Sequence, residues 1–242
     1  MRTTRIYHPG TLQEGTTVTL RREAQRHLRT VLRLQPGAPL ILFDGEGSAH
    51  HGVLKDGGEA AVGKSLGDDS ETPLAIHLLQ GVSRGERMDY TIQKAVELGV
   101  AQITPLLTER CVVRLKGERA EKRLQHWREI IINACEQCSR NRLPRLNPPT
   151  TLEQIVANPA SGLNLLLDPA ADRGPADLPR PAGGISLLIG PEGGLSDREI
   201  GQAQRAGFTP LRLGPRILRT ETAALAAVSA LQVLWGDLGK YY

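Results

Sequence analysis

The sequence of 242 residues is poor in aromatic residues and in cysteine: Phe, Trp and Tyr together make up 3% of the chain, and there are 3 cysteines. RNA-binding modules that stack bases on exposed aromatic rings need more such side chains, so this composition argues against a stacking platform. So few cysteines also fit a reducing compartment better than a disulfide scaffold.

Long apolar runs are absent as well. The apolar stretches, such as Leu165–Leu167 and the Ile185–Ile189 segment that includes Ser186, are only several residues long, whereas a membrane-spanning helix needs about 20 apolar residues. The first ten residues, MRTTRIYHPG, contain no apolar segment typical of a signal peptide. We therefore expect a cytoplasmic protein.

The lone C-x-x-C of Cys135 and Cys138 has no second ligand pair at a spacing that zinc would require, so no metal site is predicted. Leu124, Trp127 and Ile131 precede the two cysteines at steps of three and four residues, which places all five on one helix face. Core packing is the favoured interpretation, and a redox role is the alternative.

Two phosphate-binding signatures are missing: G-x-x-x-x-G-K-[ST] and G-x-G-x-x-G. A nucleotide-dependent oxidoreductase or an NTPase is therefore the less favoured class of enzyme. A ribosome-assembly factor that only binds RNA is a second alternative.

The net charge is +4, and residues 71–150 carry 13 Lys/Arg against 9 Asp/Glu. Residues 1–70 carry 9 against 8, and residues 151–242 carry 8 against 9. A polyanion could bind the first two-thirds of the chain, although an ordinary solvated surface would have the same charge.

Turn and periodicity signals divide the chain into two predicted domains. Residues 1–70 contain short strands around glycine turns and one short helix ended by Pro36-Gly37, which predicts a small β-barrel. Leu66–Leu74 is polar and is predicted to be a linker. Residues 72–242 alternate strands with helices, which predicts an α/β domain with a mostly parallel sheet.

Helix-end signals in the second predicted domain are specific. Met88, Ile92, Ala95 and Val96 should face inward on a helix that ends at Gly99. Ser196-x-x-Glu199 predicts a capping box at the start of a helix that Gly207 stops, and the last helix should end at Gly236. A long helix is predicted from about Glu118 to Cys138.

Three loops after consecutive predicted strands stand out: Leu167-Asp168-Pro169, Gly190–Gly194 and Leu213–Thr222. Because ligands bind beyond the carboxyl ends of parallel strands, the three loops predict one pocket. Glu192 would repel phosphate and suits a ligand with a cation or hydroxyl groups, such as S-adenosylmethionine; a plain structural turn is the alternative.

The third loop carries Arg216 and Arg219 between an apolar strand and an Ala-rich helix, where charges are costly without a purpose. The alanines at 223, 224, 226, 227 and 230 would let a neighbour pack close to that helix.

The motifs LLIGPEGGLSDREI and LRLGPRILRTETAALAAVSALQ together resemble the signature of the SPOUT methyltransferases, specifically the RsmE-type family that methylates N3 of a uridine in 16S ribosomal RNA. TIQKAVELGV, ITPLLTERC, ACEQCSRNRLP, RIYHP and VLRLQPG are similar to further motifs of that family, so the resemblance covers essentially the whole chain.

The resemblance implies a C-terminal SPOUT domain threaded into a deep trefoil knot, although chains are ordinarily unknotted. It also implies a PUA-like N-terminal barrel for RNA, S-adenosylmethionine bound by the knotted loops, and a homodimer paired through the knot.

Candidate site residues follow from the motifs and the resemblance together. Arg219 is the first candidate for stabilising the uracil anion, and Glu221 is a weaker candidate base. The candidate cofactor-binding residues are Leu167, Ile189, Gly190, Pro191, Glu192, Gly193, Gly194, Leu213, Gly214, Leu218, Thr220 and Thr222. The candidate RNA-binding residues are Arg21, Arg22, Arg26, Arg29, Arg33, Arg84, Arg87, Lys94, Arg140 and Arg142.

Overall fold

The structure is a computed structural model that describes residues 3–67, 70–113 and 115–239. It divides into two compact units, Met1–Glu71 with Ile132–Leu143, and Thr72–Ile131 with Pro144–Tyr242. Residues 132–143 fall within the range predicted for the C-terminal domain but group with the N-terminal unit. Within the predicted linker, Asp68 and Asp69 lie outside the described residues.

The N-terminal unit is built on a five-stranded sheet of order β1-β3-β4-β5-β2. Its strands are β1 (Thr4–Tyr7), β2 (Thr17–Thr19), β3 (Pro39–Phe43), β4 (Ala49–Leu54) and β5 (Glu59–Leu66). β1 is parallel to β3, and the other pairs are antiparallel. Ile6, Leu28, Leu40 and Leu42 lie in its core.

One short helix, α1 (Arg22–Arg26), follows β2 and continues as a π-helical turn over His27–Val31. The helix predicted here is present, but it ends five residues before Pro36. Its last carbonyls are satisfied locally, since the N–H of Leu32 donates to His27 O at 3.0 Å and that of Leu34 to Leu28 O at 3.0 Å. Ala24 and Leu28 face the core, which leaves the arginines outside.

A buried ion pair ties residues 132–143 to the N-terminal unit. Arg140 is 4% exposed, and its Nη2 lies 2.6 Å from Glu71 Oε2. The same carboxylate accepts a hydrogen bond from the Arg142 N–H at 3.2 Å. Removing one partner of such a pair would leave a buried charge uncompensated, so this segment depends on Glu71.

The C-terminal unit is built on a parallel sheet of order β12-β10-β11-β6-β7-β8, with β9 also paired to β7. The strands are β6 (Ile76–Gly81), β7 (Gln102–Leu107), β8 (Arg145–Leu146), β9 (Thr150–Thr151), β10 (Leu163–Leu167), β11 (Ile185–Ile189) and β12 (Thr209–Leu211). All described pairs of this sheet are parallel. The predicted parallel sheet is therefore confirmed.

Among the described residues, four α-helices and the first part of a fifth, α3, belong to the C-terminal unit. They are α2 (Glu86–Glu97), α3 (Glu118–Cys138), α4 (Leu152–Ala157), α5 (Asp197–Arg205) and α6 (Thr220–Trp235). α2 packs on α6 and α4 packs on α5. All five residues of β11 are buried, as expected for a central strand covered on both faces.

Each predicted helix end in this unit is confirmed. Met88, Ile92, Ala95 and Val96 of α2 are buried, and Gly99 has φ +81° just beyond the helix. Ser196 and Glu199 form the capping box of α5, in which the Glu199 N–H donates to Ser196 Oγ at 3.2 Å. Gly207 follows α5, and Gly236 caps α6.

The helical interpretation of the cysteines is also confirmed. Trp127, Ile131 and Cys135 are buried on one face of α3, and Leu124 and Cys138 are half-buried. Burial raises the pKa of the Cys135 thiol to about 12, so it stays protonated and unreactive. In the described part of the chain, no helix combines the length and apolar character needed to cross a membrane.

Candidate active site

A cavity of about 610 Å³ lies where the loops after β10, β11 and β12 meet. Leu167, Asp168 and Pro169 line it from the first loop, Gly190–Gly194 from the second, and Leu213–Gly214 with Arg216–Glu221 from the third. The prediction that these three strand ends share one pocket is confirmed. The cause is the parallel sheet, in which the carboxyl ends of the strands lie along one edge.

Close backbone packing holds the loop after β11 in place. A Cβ on Gly190 would lie 2.8 Å from the carbonyl carbon of Gly194 and 2.8 Å from the Leu195 nitrogen. A Cβ on Gly81, at the end of β6, would lie 2.4 Å from the Pro191 nitrogen. Side chains at these two positions would therefore displace the loop.

A buried hydrogen-bond chain connects this loop to α6. Thr220 Oγ1 donates to Gly190 O at 2.6 Å and accepts a hydrogen bond from Gln80 Nε2 at 2.9 Å. Gln80 is fully buried, and Thr220 is the first residue of α6. The Thr220 hydroxyl is thus already occupied within the protein, and the chain fixes the first turn of α6 against the loop.

Glu192 is held by the protein itself. Its Oε1 accepts hydrogen bonds from the Arg84 N–H at 2.9 Å and from Arg87 Nη1 at 3.3 Å. Burial raises the pKa of Glu192, but these hydrogen bonds and the Arg87 charge outweigh burial and leave the pKa lowered. The carboxylate in this glycine loop therefore fastens the loop to the start of α2, while the residue still lines the cavity.

The loop after β7, which no motif singled out as part of the pocket, contributes Arg110 to the lining. Arg110 Nη1 donates to Gly193 O and to Leu195 O, both at 3.1 Å. The neighbouring Glu109 N–H donates to Glu199 Oε1 at 2.9 Å, which joins this loop to the start of α5. The signal that could have found Arg110 is its place after a fourth strand that ends at the same edge.

Arg216 and Arg219 are exposed and line the cavity, so the expectation that apolar elements press on both of them is wrong. All four residues from Gly214 to Ile217 are exposed, and so is Arg219. The backbone carbonyl of Arg219 accepts a hydrogen bond from the Ala223 N–H at 2.7 Å, but its guanidinium has no hydrogen-bond or ion-pair partner in the described part of the chain. Glu221, two residues on, has a buried Oε2 that likewise has no partner among the described residues.

Of the twelve candidate cofactor-binding residues, all except Thr222 line the cavity. Thr222 is exposed on the first turn of α6 and is not part of the lining. The cavity also includes apolar residues that were not candidates: Leu195, Ile200, Leu211, Ile217 and Ala223.

The candidate RNA-binding residues belong to both units, seven to the N-terminal unit and three to the C-terminal unit. Arg22, Arg26, Arg29 and Arg33 are exposed around α1 and its π-helical turn. Arg21 is half-buried with its guanidinium over the Tyr7 ring, 5.6 Å from the centroid. Arg142 is exposed and Arg140 is buried against Glu71, so Arg140 is not accessible to RNA and is set aside.

The remaining three candidates belong to the C-terminal unit. Arg84 and Arg87 are exposed at the start of α2, and Arg87 lines the cavity. Lys94 pairs with Glu97 at 2.7 Å one turn along the same helix.

A family model described as an RNA methyltransferase domain matches residues 70–232, and one described as an RNA methyltransferase PUA domain matches residues 20–62. The chain is 37% identical over 239 residues to the ribosomal RNA small subunit methyltransferase E of Buchnera aphidicola from Schizaphis graminum, covering 97% of each chain.

Two solved structures are similar over 98% of this chain and 100% of their own. One is a methyltransferase E of Neisseria gonorrhoeae bound to S-adenosyl methionine, with 42% identity and a TM-score of 0.91. The other is a Legionella pneumophila protein in complex with SAM, with 45% identity and a TM-score of 0.94. The N-terminal unit is accordingly PUA-like and the C-terminal unit has the SPOUT methyltransferase fold, and the chain belongs to the ribosomal RNA small subunit methyltransferase E family.

Proposed function

We propose that this protein transfers a methyl group from S-adenosylmethionine to N3 of a specific uridine in the 16S RNA of the small ribosomal subunit. The observation that carries the proposal is the cavity at the carboxyl edge of the parallel sheet, where the guanidinium of Arg219, the N-cap residue of α6, has no partner among the described residues. Family membership supplies the class of substrate.

The residues of the cavity fit S-adenosylmethionine. A volume of about 610 Å³ is in the range typical of small-molecule sites. Leu167, Ile189 and Leu218 offer apolar walls to an adenine ring, and the backbone of Gly190–Gly194 offers peptide donors and acceptors. The cofactor carries no phosphate, which agrees with a glycine loop that contains a carboxylate and no lysine. When bound, it supplies a methyl group activated by a sulfonium.

Arg219 is suited to stabilise the uracil ring as N3 loses its proton. The imide nitrogen is a poor nucleophile while protonated, and the negative charge that develops spreads onto the neighbouring carbonyl oxygens. A guanidinium offers paired donors that stay protonated, and the N-terminus of α6 adds positive potential at the same place.

Glu221 is suited to receive the N3 proton. Its Oε2 is buried beside the cavity and has no partner in the described part of the chain, so its acceptor capacity is free for a ligand. The same oxygen could instead bind a hydroxyl or ammonium group of the cofactor. The two roles differ in their effect, because a base changes the rate of methylation and a cofactor ligand changes the affinity for S-adenosylmethionine.

The N-terminal unit is proposed to bind phosphate groups of the RNA backbone. Arg22, Arg26 and Arg29 are spaced by four and three residues, so they share the exposed face of α1 and its π-helical turn. Phosphate contacts of this kind orient the RNA without reading its bases. Arg21, Arg33, Arg84, Arg87, Lys94 and Arg142 remain candidate contacts along the same backbone.

A homodimer through α6 is proposed because this helix presents an apolar face to solvent. Val233 is 56% exposed and Leu234 is 44% exposed, and residues 222–235 contain no charged side chain. Exposed apolar patches of this kind mark interfaces.

The trefoil knot of the SPOUT fold is proposed for the loops around Gly190 and Thr220, where close backbone packing supports it. We place the protein in the cytoplasm, where ribosomal subunits are assembled.

The direct test is methylation of 16S ribosomal RNA from cells that lack this gene. The purified protein with labelled S-adenosylmethionine should add one methyl group, which mass mapping should locate on N3 of one uridine. Binding of the RNA without transfer would support the alternative of an assembly factor that only binds RNA. Affinity for nucleoside triphosphates or dinucleotides in place of S-adenosylmethionine would support the phosphate-binding alternatives.

A further inference from the structure

A second concave surface lies on the C-terminal unit along the first half of α3. This α3 groove has a volume of about 400 Å³ and is lined by Val113, Leu115, Arg119, Lys122, Arg123 and His126. It shares no lining residue with the active-site cavity. One wall is apolar and the other is basic, a combination that suits a ligand with a flat apolar part and negative charge.

The basic wall follows from helical spacing. Arg119, Lys122, Arg123 and His126 are separated by steps of three, one and three residues, which puts them on one face of α3. Lys122 pairs with Glu118 at 2.7 Å, but both side chains are about three-quarters exposed, so this pair contributes little stability and can exchange partners. Arg119 is exposed and has no ion-pair partner in the described part of the chain.

Asp89 of α2 fixes the far end of the groove. Its Oδ2 lies 2.7 Å from His126 Nε2, and its Oδ1 accepts a hydrogen bond from the buried Trp127 Nε1 at 3.0 Å. The Arg123 guanidinium lies 4.0 Å from the same carboxylate and over the Trp127 ring. The positions of Arg123 and His126 are therefore set before any ligand binds, whereas Arg119 and Lys122 are left to make new contacts.

The groove adjoins the active-site cavity through a short segment of chain. Arg110 lines the cavity and Val113 lines the groove, and three residues of chain span at most about 11 Å. Cys111, between them, is held by contacts of its Sγ with Val82 O at 3.2 Å and Val113 O at 3.3 Å. α2 makes a second connection, since Arg87 lines the cavity and Asp89 holds the end of the groove.

We propose that the α3 groove binds a nucleotide adjacent to the target uridine in single-stranded RNA. The inference rests on the proposed function and adds a place for the flanking nucleotide. Enzymes that act on a base take it out of the stack, and they often hold the neighbouring nucleotides separately. The neighbouring base would pack on Val113 and Leu115, and its phosphate would contact Arg119 and Lys122. RNA is favoured over an acidic peptide because the apolar wall offers no partner for peptide N–H and C=O groups.

Arg119→Ala and the double variant with Lys122→Ala test the proposal in the full-length protein, with Arg128→Ala as the control. Arg128 is exposed on α3 and lies outside the groove. The probe is a fluorescent, unmodified single-stranded RNA that contains the target uridine and its neighbours. Binding of this probe is titrated at several salt concentrations. Calorimetry with S-adenosylmethionine and single-turnover methylation accompany each titration.

For single-stranded RNA, each lost phosphate contact should reduce the slope of log affinity against log salt concentration, here called the salt slope, by about 0.7. At 0.1 M salt this corresponds to about a fivefold loss of affinity. Arg119→Ala should therefore bind the probe about fivefold more weakly, and the double variant about 25-fold more weakly. Affinity for S-adenosylmethionine and the methylation rate at saturating RNA should match the wild type. Arg128→Ala should leave the salt slope unchanged.

Equal effects of Arg119→Ala and Arg128→Ala would overturn the proposal, since they would show only a general loss of surface charge. A polyglutamate peptide that displaces the probe at lower concentration than unlabelled RNA would also overturn it. Failure of the proposed function would look different, because the wild type itself would then not bind S-adenosylmethionine or methylate the RNA.

Discussion

Substitution of Arg219 by alanine is the sharpest test of the proposed chemistry. The side chain is exposed, lines the cavity and has no partner in the described part of the chain. Although Arg219 is the N-cap of α6, its side chain makes no capping hydrogen bond. The alanine variant should therefore retain the helix and the fold, and an effect on rate should report on the reaction.

The size of the effect depends on how well the site excludes water. A charge 4 Å from the developing anion contributes about 1 kcal/mol in bulk water and about 4 kcal/mol near a protein surface. Arg219 lies at an open edge that the RNA covers on binding, so a value of about 2.7 kcal/mol between these limits is reasonable. This corresponds to about a 10²-fold fall in the rate of methyl transfer, at the lower end of the range for removing one preorganised donor.

Single-turnover methylation with saturating S-adenosylmethionine and RNA measures this rate directly. Arg219→Lys should recover part of it, because lysine retains the charge but loses the planar pair of donors. Arg205→Ala, an exposed arginine at the end of α5 that does not line the cavity, is the matched control and should methylate normally.

A normal rate in Arg219→Ala would refute the catalytic role. A slow variant that has also lost the dimer or its affinity for S-adenosylmethionine would instead show that Arg219 supports the structure of the site. Calorimetry and a sizing column separate these outcomes.

Further predictions concern the loop, acid stability and assembly. Gly190→Ala should weaken S-adenosylmethionine binding in calorimetry with little change in circular dichroism, because the added Cβ would lie 2.8 Å from backbone atoms of Gly194 and Leu195. The control Gly183→Ala should bind S-adenosylmethionine normally, since no atom lies within 4 Å of its added Cβ. Burial and the nearby Arg145 lower the pKa of His77 to about 4 from 6.5, so the unfolded chain takes up a proton first and stability should fall from about pH 6.5 towards pH 4. The loss should be about 1–2 kcal/mol at pH 5 after allowance for partial exposure, and urea titrations of the wild type should lose more stability there than those of His77→Gln. Val233→Glu should shift the sedimentation coefficient from that of a dimer to that of a monomer; an unchanged value would place the interface elsewhere.

Local patterns were enough to predict most elements of the C-terminal unit. The period of the apolar residues predicted α2 and the buried face of α3, and the capping box and the glycine stops predicted where α5 and α6 begin or end. These features depend on residues a few positions apart, which a sequence displays directly. The four-residue strand β1 of the N-terminal unit could not be predicted from a local pattern, because its partner β3 lies more than thirty residues further along the chain.

Part of the candidate site could also be predicted from the sequence. A parallel sheet brings its strand ends to one edge, so three loops could be placed in one pocket before their geometry was known. The role of Glu192 could not, since its partners Arg84 and Arg87 are more than a hundred residues away in sequence. Arg110 was missed likewise, because its two acceptors, Gly193 O and Leu195 O, are more than eighty residues away.

The sequence by itself determined the alternation of strands and helices, the helix ends and the family, because each of these is recorded in short stretches of residues. Only the tertiary structure decided which charges are available for function. Arg140 and Arg219 look alike as basic residues in a sequence, yet one is buried against Glu71 and the other stands exposed at the cavity. The physical reason is that the environment of a charge depends on burial and on partners brought together by the fold, and neither is encoded within a few neighbouring positions.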